Sequence, residues 1–328
     1  METDAYTAAF EAAAWRARSY RGVLRVAGPD RLTWLQGLLT NDLRPLAGGG
    51  ACYAAWLTPQ GRMITDADVL ELGEETWLDV PARLAASLAA RLDSMVFAED
   101  VRIDDASAAI ASVGIYGRAA ARVVASALGA EVPDAAVTPY ALHQVDATAG
   151  RAVVLGDDSL GVPGIRVYVP AAGAEVLLDA LKGSTPALDA ATARVLRVEA
   201  GRPEFLVDMN EETIPLEANL EERAISHTKG CYVGQEIIVR LRDRAQGRVA
   251  RRLVGLVIDG GDVPQAGDPI TVGDKAVGRV TSAVPSPSLG RPIALGQVHR
   301  DHTAPGTVLQ VGSSSPQRAT VTELPFRG

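Results

Sequence analysis

The alternation of apolar and polar positions divides the chain into a larger N-terminal part, with both helical and strand periodicity, and a smaller C-terminal part with strand periodicity alone. In LRVAGPDRLTWLQGLLTNDL, residues 24–43, a short strand over 24–26 leads through a Gly-Pro turn into a helix, for which Asp30 is the predicted N-cap. Apolar positions at helical spacing predict its buried face: Leu32, Leu35, Leu38 and Leu39.

One pattern, a strand followed by a proline and an amphipathic helix, occurs twice. It is found in TWLDVPARLAASLAARL from Thr76 and again, about ninety residues later, in RVYVPAAGAEVLLDALK from Arg166. This repeat predicts duplicated β-α-β units whose helices pack on one face of an antiparallel sheet. A further helix is predicted from Asp189 to Ala200, ended by Gly201 and Pro203.

The pattern changes from about Gly247 onward. Short β-rich runs such as LVGLVI, PITV and IALGQV alternate with turns of Gly, Pro and Asp, which is typical of a small β-barrel of about eighty residues. The sequence therefore predicts an α+β protein with an N-terminal region over 1–245 and a C-terminal β-barrel domain over 246–328.

Composition narrows the class of protein. The chain has 328 residues, a formal net charge of −8 and 22% charged residues, which fits a globular protein and argues against direct nucleic-acid binding. Its two cysteines, Cys52 and Cys231, form no CxxC pair, so neither a disulfide framework nor a structural zinc site is expected. No secretory signal or membrane-spanning apolar run is evident, and we predict a cytoplasmic protein without a membrane partner.

The strongest chemical signal is HTKGCYVGQEIIVR, from His227 to Arg240. Cys231 stands between Gly230 and Gly234, which allow close backbone approach to a ligand, and Lys229 lies two residues upstream. A neighbouring cation and a helix beginning at the second glycine would favour the thiolate. The cysteine is therefore either a reactive thiolate or a buried, inert residue in a tight turn. No GxSxG, HExxH or Rossmann glycine motif competes with this signal, and no metal site is predicted.

Two acidic residues stand where a free carboxylate is disfavoured. Glu199 falls in the last turn of its predicted helix, where the helix dipole makes negative charge unfavourable. It is either an acid that receives hydrogen bonds from a ligand or a solvated surface residue. Asp66 follows GRMIT, on or beside a mostly apolar strand, and is either a catalytic or ligand-orienting carboxylate or a strand-end residue.

An arginine cluster between positions 240 and 252 stands out in this acidic chain. Guanidinium groups suit carboxylates and phosphates, so a run of glutamyl carboxylates or an RNA backbone could dock there. The alternative is a solvated interdomain linker that balances nearby acids. The cluster consists of Arg240, Arg242, Arg244, Arg248, Arg251 and Arg252.

These segments together resemble the YgfZ family of folate-binding proteins, relatives of the glycine-cleavage T-protein. The motif KGCYVGQE, Lys229–Glu236, is similar to the signature of that family. Further similar segments follow in the same order along nearly the whole chain: GPDRLTWLQGLLTND (Gly28–Asp42), LTPQGRMITD (Leu57–Asp66), RVEAGRP (Arg197–Pro203) and IPLEANL (Ile214–Leu220).

The resemblance implies a T-protein-like folate-binding fold, with two α/β subdomains and a C-terminal β-barrel around a central hole. It implies tetrahydrofolate as the cofactor, including its polyglutamylated form. Tyr53 would lie near the folate rings, Asp66 near N10, and Glu199 would bind the pterin amide and amino group. The glutamyl tail would leave toward the arginine cluster. The predicted cofactor-binding residues are thus Tyr53, Asp66, Glu199, Lys229 and Arg240, and the predicted catalytic residues are Cys231 and Asp66.

The resemblance also implies a function in iron–sulfur cluster assembly or repair, and thereby in tRNA modification, with transient contacts to iron–sulfur client proteins. Cys231 corresponds to the functional cysteine of that family. The alternative is a folate-dependent aminomethyl or one-carbon transferase that works through Asp66. T-proteins usually carry two adjacent aspartates where this chain has Thr65-Asp66, and they lack the cysteine, which counts against aminomethyl transfer. A third interpretation, a tRNA-binding accessory protein, depends on the arginine cluster alone.

Overall fold

A computed structural model describes residues 3–244, 248–313 and 315–326 and divides the chain into two compact units. Unit 1 comprises residues 1–56, 65–192 and 224–232, and unit 2 comprises residues 57–64, 193–223 and 233–328. The domain boundary predicted between residues 245 and 246 lies outside the described residues.

Unit 1 is built on two antiparallel five-stranded sheets. The first has the order β3-β4-β5-β2-β6 and the second the order β8-β9-β10-β7-β1, in the following numbering. The strands are β1 (Ala14–Ala17), β2 (Arg21–Ala27), β3 (Gly50–Leu57), β4 (Met63–Glu71), β5 (Glu75–Pro81), β6 (Arg102–Asp105), β7 (Ile110–Tyr116), β8 (Leu142–Ala147), β9 (Gly150–Asp157) and β10 (Gly164–Pro170). The helices over residues 3–199 are α1 (Thr3–Glu11), α2 (Arg31–Gln36), α3 (Ala85–Asp93), α4 (Ala120–Leu128), α5 (Ala174–Lys182) and α6 (Ala190–Glu199).

The two sheets repeat one topology. The run β2-α2-β3-β4-β5-α3 has the same order as the run β7-α4-β8-β9-β10-α5, and β1 occupies the edge position in the second sheet that β6 occupies in the first. In both copies a strand ends on a proline, Pro81 or Pro170, and a 3₁₀ turn leads into the helix. A proline has no N–H for the strand ladder, so pairing stops there and the chain turns. The predicted duplication is therefore present.

The predicted buried face of the first helix is present only in part. Leu35 is buried within α2 and Leu32 is only partly buried, whereas Leu38 and Leu39 are buried beyond the end of the helix at Gln36.

Two later helices are amphipathic, as predicted. Helix α3 buries Ala85, Leu88 and Leu92, and α5 buries Leu177 and Leu181. The two sheets of unit 1 contact each other through an apolar cluster from β2, β4, β9 and β10. This cluster consists of Val23, Leu70, Val153, Leu155 and Tyr168.

Unit 2 contains a closed six-stranded barrel of order β11-β14-β13-β12-β15-β16. Its strands are β11 (Arg251–Ile258), β12 (Pro269–Val272), β13 (Lys275–Ser286), β14 (Arg291–His299), β15 (Val308–Val311) and β16 (Gln317–Thr322). Two helices complete the described elements, α7 (Glu221–Ala224) and α8 (Gln235–Arg244). Closing the sheet removes its exposed edges, and the barrel interior is filled by apolar side chains such as Leu256, Ile270 and Val298. The predicted α+β class with a C-terminal barrel is confirmed.

Asp30 occupies the N-cap position of α2, as predicted, but its side chain makes no capping hydrogen bond. Its Oδ2 atom instead accepts a hydrogen bond from the backbone N–H of Asp100, at 2.8 Å. Among the helices of the described residues, none is long and apolar enough to cross a membrane.

Candidate functional site

A buried carboxylate lies between two oriented donors in unit 1. Asp66 on β4 is only 6% exposed. The Tyr53 hydroxyl on β3 donates to its Oδ2 at 2.9 Å, and the Arg21 guanidinium, at the start of β2, lies 3.2 Å from its Oδ1. Both oxygens are therefore held in place, and the residue is neither solvated nor a strand-end position.

Arg21 is itself positioned by Asp79 on β5. Its Nε lies 2.6 Å from the Asp79 carboxylate, and its Nη2 donates to the Asp79 carbonyl at 2.5 Å. The other Asp79 oxygen accepts from Arg18 at 2.7 Å and from the Tyr168 hydroxyl at 2.6 Å. Burial opposes ionisation of Asp79, but Arg18 and Arg21 outweigh it and hold the pKa of this carboxyl below its usual range.

A second ion cluster joins the two sheets of unit 1. Arg166 on β10 donates to Asp68 on β4 and contacts both oxygens of Asp157 on β9, at 2.9 and 2.8 Å. Burial raises the pKa of the Asp68 carboxyl despite the opposing charge of Arg166. For Asp157 the same burial is outweighed by Arg166, and the pKa of that carboxyl is lowered.

The charges of these two clusters do not balance. Three arginines, Arg18, Arg21 and Arg166, face four aspartates, Asp66, Asp68, Asp79 and Asp157. A buried excess of negative charge is costly unless a proton or a cationic or hydrogen-bond-donating ligand compensates it. A carboxylate also accepts up to about four hydrogen bonds, so Asp66 retains capacity beyond its two protein donors. A carboxylate that can accept further hydrogen bonds suits the N–H groups on the rings and amines of a reduced folate.

Lys229 makes hydrogen bonds within the protein, and binding of the cofactor by this residue stays a prediction. Its buried ammonium donates to three backbone carbonyls, of Gln36 at 2.7 Å, Leu39 at 2.5 Å and Asn41 at 2.7 Å. An ammonium has three N–H donors, and these three carbonyls engage all of them. Burial lowers the pKa of Lys229 to about 8.

The two cysteines differ in environment. Cys231 is exposed, which excludes the buried, inert alternative. Cys52 on β3 is partly buried, and burial together with the charge of Asp68 raises the pKa of its thiol to about 12, with Lys229 opposing the shift.

Glu199 and the arginine cluster belong to unit 2. Glu199, the last residue of α6, is only 1% exposed, so the solvated alternative is wrong. Its Oε1 accepts hydrogen bonds from the Ser286 and Ser288 hydroxyls of the barrel, the second at 2.8 Å. These donors offset the unfavourable position at the helix terminus. Binding of the pterin by Glu199 stays a prediction.

The arginines of the cluster lie in different environments. Arg240 and Arg242 are exposed on α8, whereas Arg251 and Arg252 begin β11 and contact Glu217 and Glu221. Arg248 is exposed, and the side chain of Arg244 lies outside the described part of the chain. Binding of a folate by Arg240 stays a prediction.

Sequence reasoning missed the residues that hold Asp66, above all Arg21 and Asp79. A signal was present, because Asp66, Asp68 and Asp79 interrupt strands that are otherwise apolar. A charged residue in a buried strand needs a partner, but the sequence does not reveal which arginine supplies it.

The duplicated five-stranded sheets and the closed C-terminal barrel define a class of protein with the T-protein fold. A family model described as the GCVT N-terminal domain matches residues 7–229, and one described as the glycine cleavage T-protein C-terminal barrel domain matches residues 251–327. The chain belongs to the glycine cleavage T-protein family. The predicted T-protein relationship is confirmed, and the family supports the expectation of tetrahydrofolate as the ligand.

Individual relatives agree with this assignment. An aminomethyltransferase of Streptomyces avermitilis is 31% identical over 321 residues, which cover 94% of this chain and 84% of that protein. An aminomethyltransferase of Bacillus subtilis is 28% identical over 319 residues, covering 94% of this chain and 86% of the relative. The crystal structure of the glycine cleavage system aminomethyltransferase T from Bartonella henselae has a TM-score of 0.87 and 22% identity, covers 98% of this chain and 88% of that one, and shares the fold.

Proposed function

We propose that this chain binds tetrahydrofolate at Asp66 and catalyses folate-dependent one-carbon transfer of the aminomethyl type. The observation that carries the proposal is the Asp66 carboxylate, buried and held at both oxygens by Arg21 and Tyr53. The aminomethyltransferase relatives support this function over iron–sulfur maintenance, so the interpretation given second in the sequence analysis becomes the preferred one.

The residues of unit 1 would act by binding and orientation. Bound tetrahydrofolate supplies the amines that carry the one-carbon unit. Asp66 accepts an N–H from the folate and stabilises positive charge that develops on nitrogen during transfer. Arg21 and Tyr53 fix the direction of the carboxylate, and Asp79 fixes Arg21. Because these positioning contacts are made by the protein's own side chains, little reorganisation is needed in the transition state.

Titration of the full chain with tetrahydrofolate tests binding, and transfer of a labelled one-carbon unit to the folate tests catalysis. We expect Asp66→Asn to bind tetrahydrofolate at least about tenfold more weakly and to lose transfer, and Cys231→Ala to retain most of both. Loss of transfer in Cys231→Ala with full transfer in Asp66→Asn would contradict the proposal.

A second candidate function follows from the exposure of Cys231 within the KGCYVGQE motif. A YgfZ-type protein would bind folate and use this thiol in contacts with iron–sulfur client proteins, thereby supporting tRNA modification. The presence of Thr65 where T-proteins usually carry an aspartate favours this candidate. It predicts that Cys231→Ala, with folate binding intact, fails to restore iron–sulfur enzyme activity in a deletion strain. Full restoration would exclude it.

A further inference from the structure

Tyr140 has a backbone conformation that tyrosine rarely adopts. Its φ angle is +65°, in the left-handed region that favours glycine. In the part of the chain that the structure describes, Leu206 and Asn219 are the other residues besides glycine with a positive φ, and asparagine tolerates this conformation. A tyrosine in this region costs free energy that its surroundings must offset, and such residues cluster at functional sites.

Two hydrogen bonds to β9 hold the segment that carries Tyr140. The backbone N–H of Tyr140 donates to the Gly156 carbonyl at 3.0 Å, and the Gly156 N–H donates to the Ala141 carbonyl at 2.8 Å. A Cβ atom at position 156 would collide with the Thr138 carbonyl oxygen, so only glycine allows this close approach. The left-handed conformation of Tyr140 is therefore fixed by its contacts with β9.

The side chain of Tyr140 lies in the layer between the two sheets of unit 1. It packs, partly buried, against the apolar cluster that joins the sheets, and Ala51 of β3 packs against the same cluster. Ala51 and Tyr53 are two positions apart on this strand and therefore point to the same face of the sheet. Tyr53 from the first sheet and Tyr140 from the loop before β8 thus face the same layer.

The phenol of Tyr140 is close enough to Tyr53 to influence its ionisation. Burial, and then the charges of Asp66 and Asp68, raise the pKa of Tyr53, and the Tyr140 phenol contributes in the same direction. Tyr53 and Tyr140 are each partly exposed, whereas the Asp66 carboxylate between Tyr53 and Arg21 is buried. The surroundings of Asp66 therefore include a second aromatic ring with accessible surface.

We propose that Tyr140 is a second aromatic residue of the Asp66 site and that its ring packs against a ring of the bound folate. This inference rests on the folate binding proposed above for Asp66. An aromatic side chain beside a carboxylate suits a ligand that combines flat rings with N–H donors, because the rings stack while the carboxylate accepts hydrogen bonds. The constrained backbone of Tyr140 limits the conformational freedom that is lost when the ligand binds.

Calorimetric titration of tetrahydrofolate into the full chain and three variants tests the proposal. Tyr140→Asn removes the ring but suits the left-handed conformation, so the fold should persist while the Kd rises about tenfold. Tyr140→Phe keeps the ring and should bind within about twofold of the wild type. Leu206→Asn, at the left-handed leucine of unit 2, is the matched control and should bind as the wild type does.

The labelled transfer reaction separates a ligand contact from a structural role. Tyr140→Asn should raise the KM for tetrahydrofolate with kcat nearly unchanged, because the ring contributes binding rather than charge stabilisation. Wild-type affinity in Tyr140→Asn, or an equal loss of affinity in Leu206→Asn, would overturn this inference alone. An equal loss in Tyr140→Phe would assign the effect to the hydroxyl and overturn the ring contact. Absence of binding by the wild type would overturn the proposed folate site as well.

Discussion

The hydroxyl of Tyr53 donates a 2.9 Å hydrogen bond to Oδ2 of Asp66, which joins two neighbouring strands at the candidate folate site. Burial, and then the charge of Asp66, raises the pKa of Tyr53 well above its usual value, so the phenol keeps its proton and remains a donor at neutral pH. Arg21 holds the other oxygen of the same carboxylate. The direction of Asp66 is therefore fixed by the protein's own side chains.

Removal of the Tyr53 hydroxyl tests how much the orientation of Asp66 contributes to folate binding. Tyr53→Phe loses one hydrogen bond to Asp66, worth about 1 kcal/mol, so we expect about a fivefold increase in the Kd for tetrahydrofolate. Arg21 still holds the carboxylate, so binding should not disappear. Calorimetric titration measures the change. An unchanged Kd would mean that Tyr53 does not orient Asp66 for the ligand.

Lys229 should contribute to stability rather than to ligand binding. Lys229→Met leaves the carbonyls of Gln36, Leu39 and Asn41 without their common donor, so we expect the free energy of unfolding to fall by about 2 kcal/mol. The control Lys182→Met removes an exposed lysine and should have little effect. Urea unfolding followed by circular dichroism compares the two. Equal stability of the two variants would contradict the role given to Lys229.

Acid should lower the stability of unit 1 because the Asp79 carboxylate becomes protonated. The pKa of this carboxyl in the folded protein is held below its ordinary value of 3.8, so its stabilising contribution is present above that pH and is lost as the pH falls further. We expect Asp79→Asn, which leaves two buried arginines without their shared anion, to cost about 3 kcal/mol at pH 7. The difference from wild type should shrink below about pH 4. Urea unfolding across this pH range measures it, and a difference independent of pH would refute the account.

The two thiols should react at very different rates. The pKa of Cys52 is raised to about 12, so almost none of it is thiolate at neutral pH, whereas Cys231 is exposed. We expect iodoacetamide at pH 7.5 to modify Cys231 at least about tenfold faster than Cys52. Mass spectrometry of digested protein locates the label, and Cys231→Ala identifies the remaining site. Faster labelling of Cys52 would contradict the burial assigned to β3.

Local signals in the sequence were sufficient for most of the fold. The strand-proline-helix repeat predicted the duplicated sheets, and the regular turns predicted the barrel, because both depend on residues close together in sequence. Tyr53 and Asp66, which occupy one hairpin, were also identified as a pair through the family resemblance.

The contacts that hold the site could not be predicted because their partners are distant in sequence. Arg18 and its partner Asp79 are 61 positions apart in the sequence, and Arg166 and its partner Asp68 are 98 positions apart. Lys229 was assigned to the ligand because its motif suggested chemistry, yet its partners are backbone carbonyls about 190 positions away. A backbone acceptor is present at every residue, so no side-chain pattern could identify these three.

The most direct test of the central claim is a calorimetric titration of tetrahydrofolate into the wild-type chain and the Asp66→Asn variant. Asp146→Asn, which changes an exposed aspartate on β8 of the same unit, is the matched control. We predict saturable binding by the wild type and the control, with a Kd at least about tenfold higher for Asp66→Asn. Arg21 keeps Asp79 as a partner in that variant, so its thermal unfolding should remain cooperative. No binding by the wild type, or equal binding by Asp66→Asn, would contradict the account.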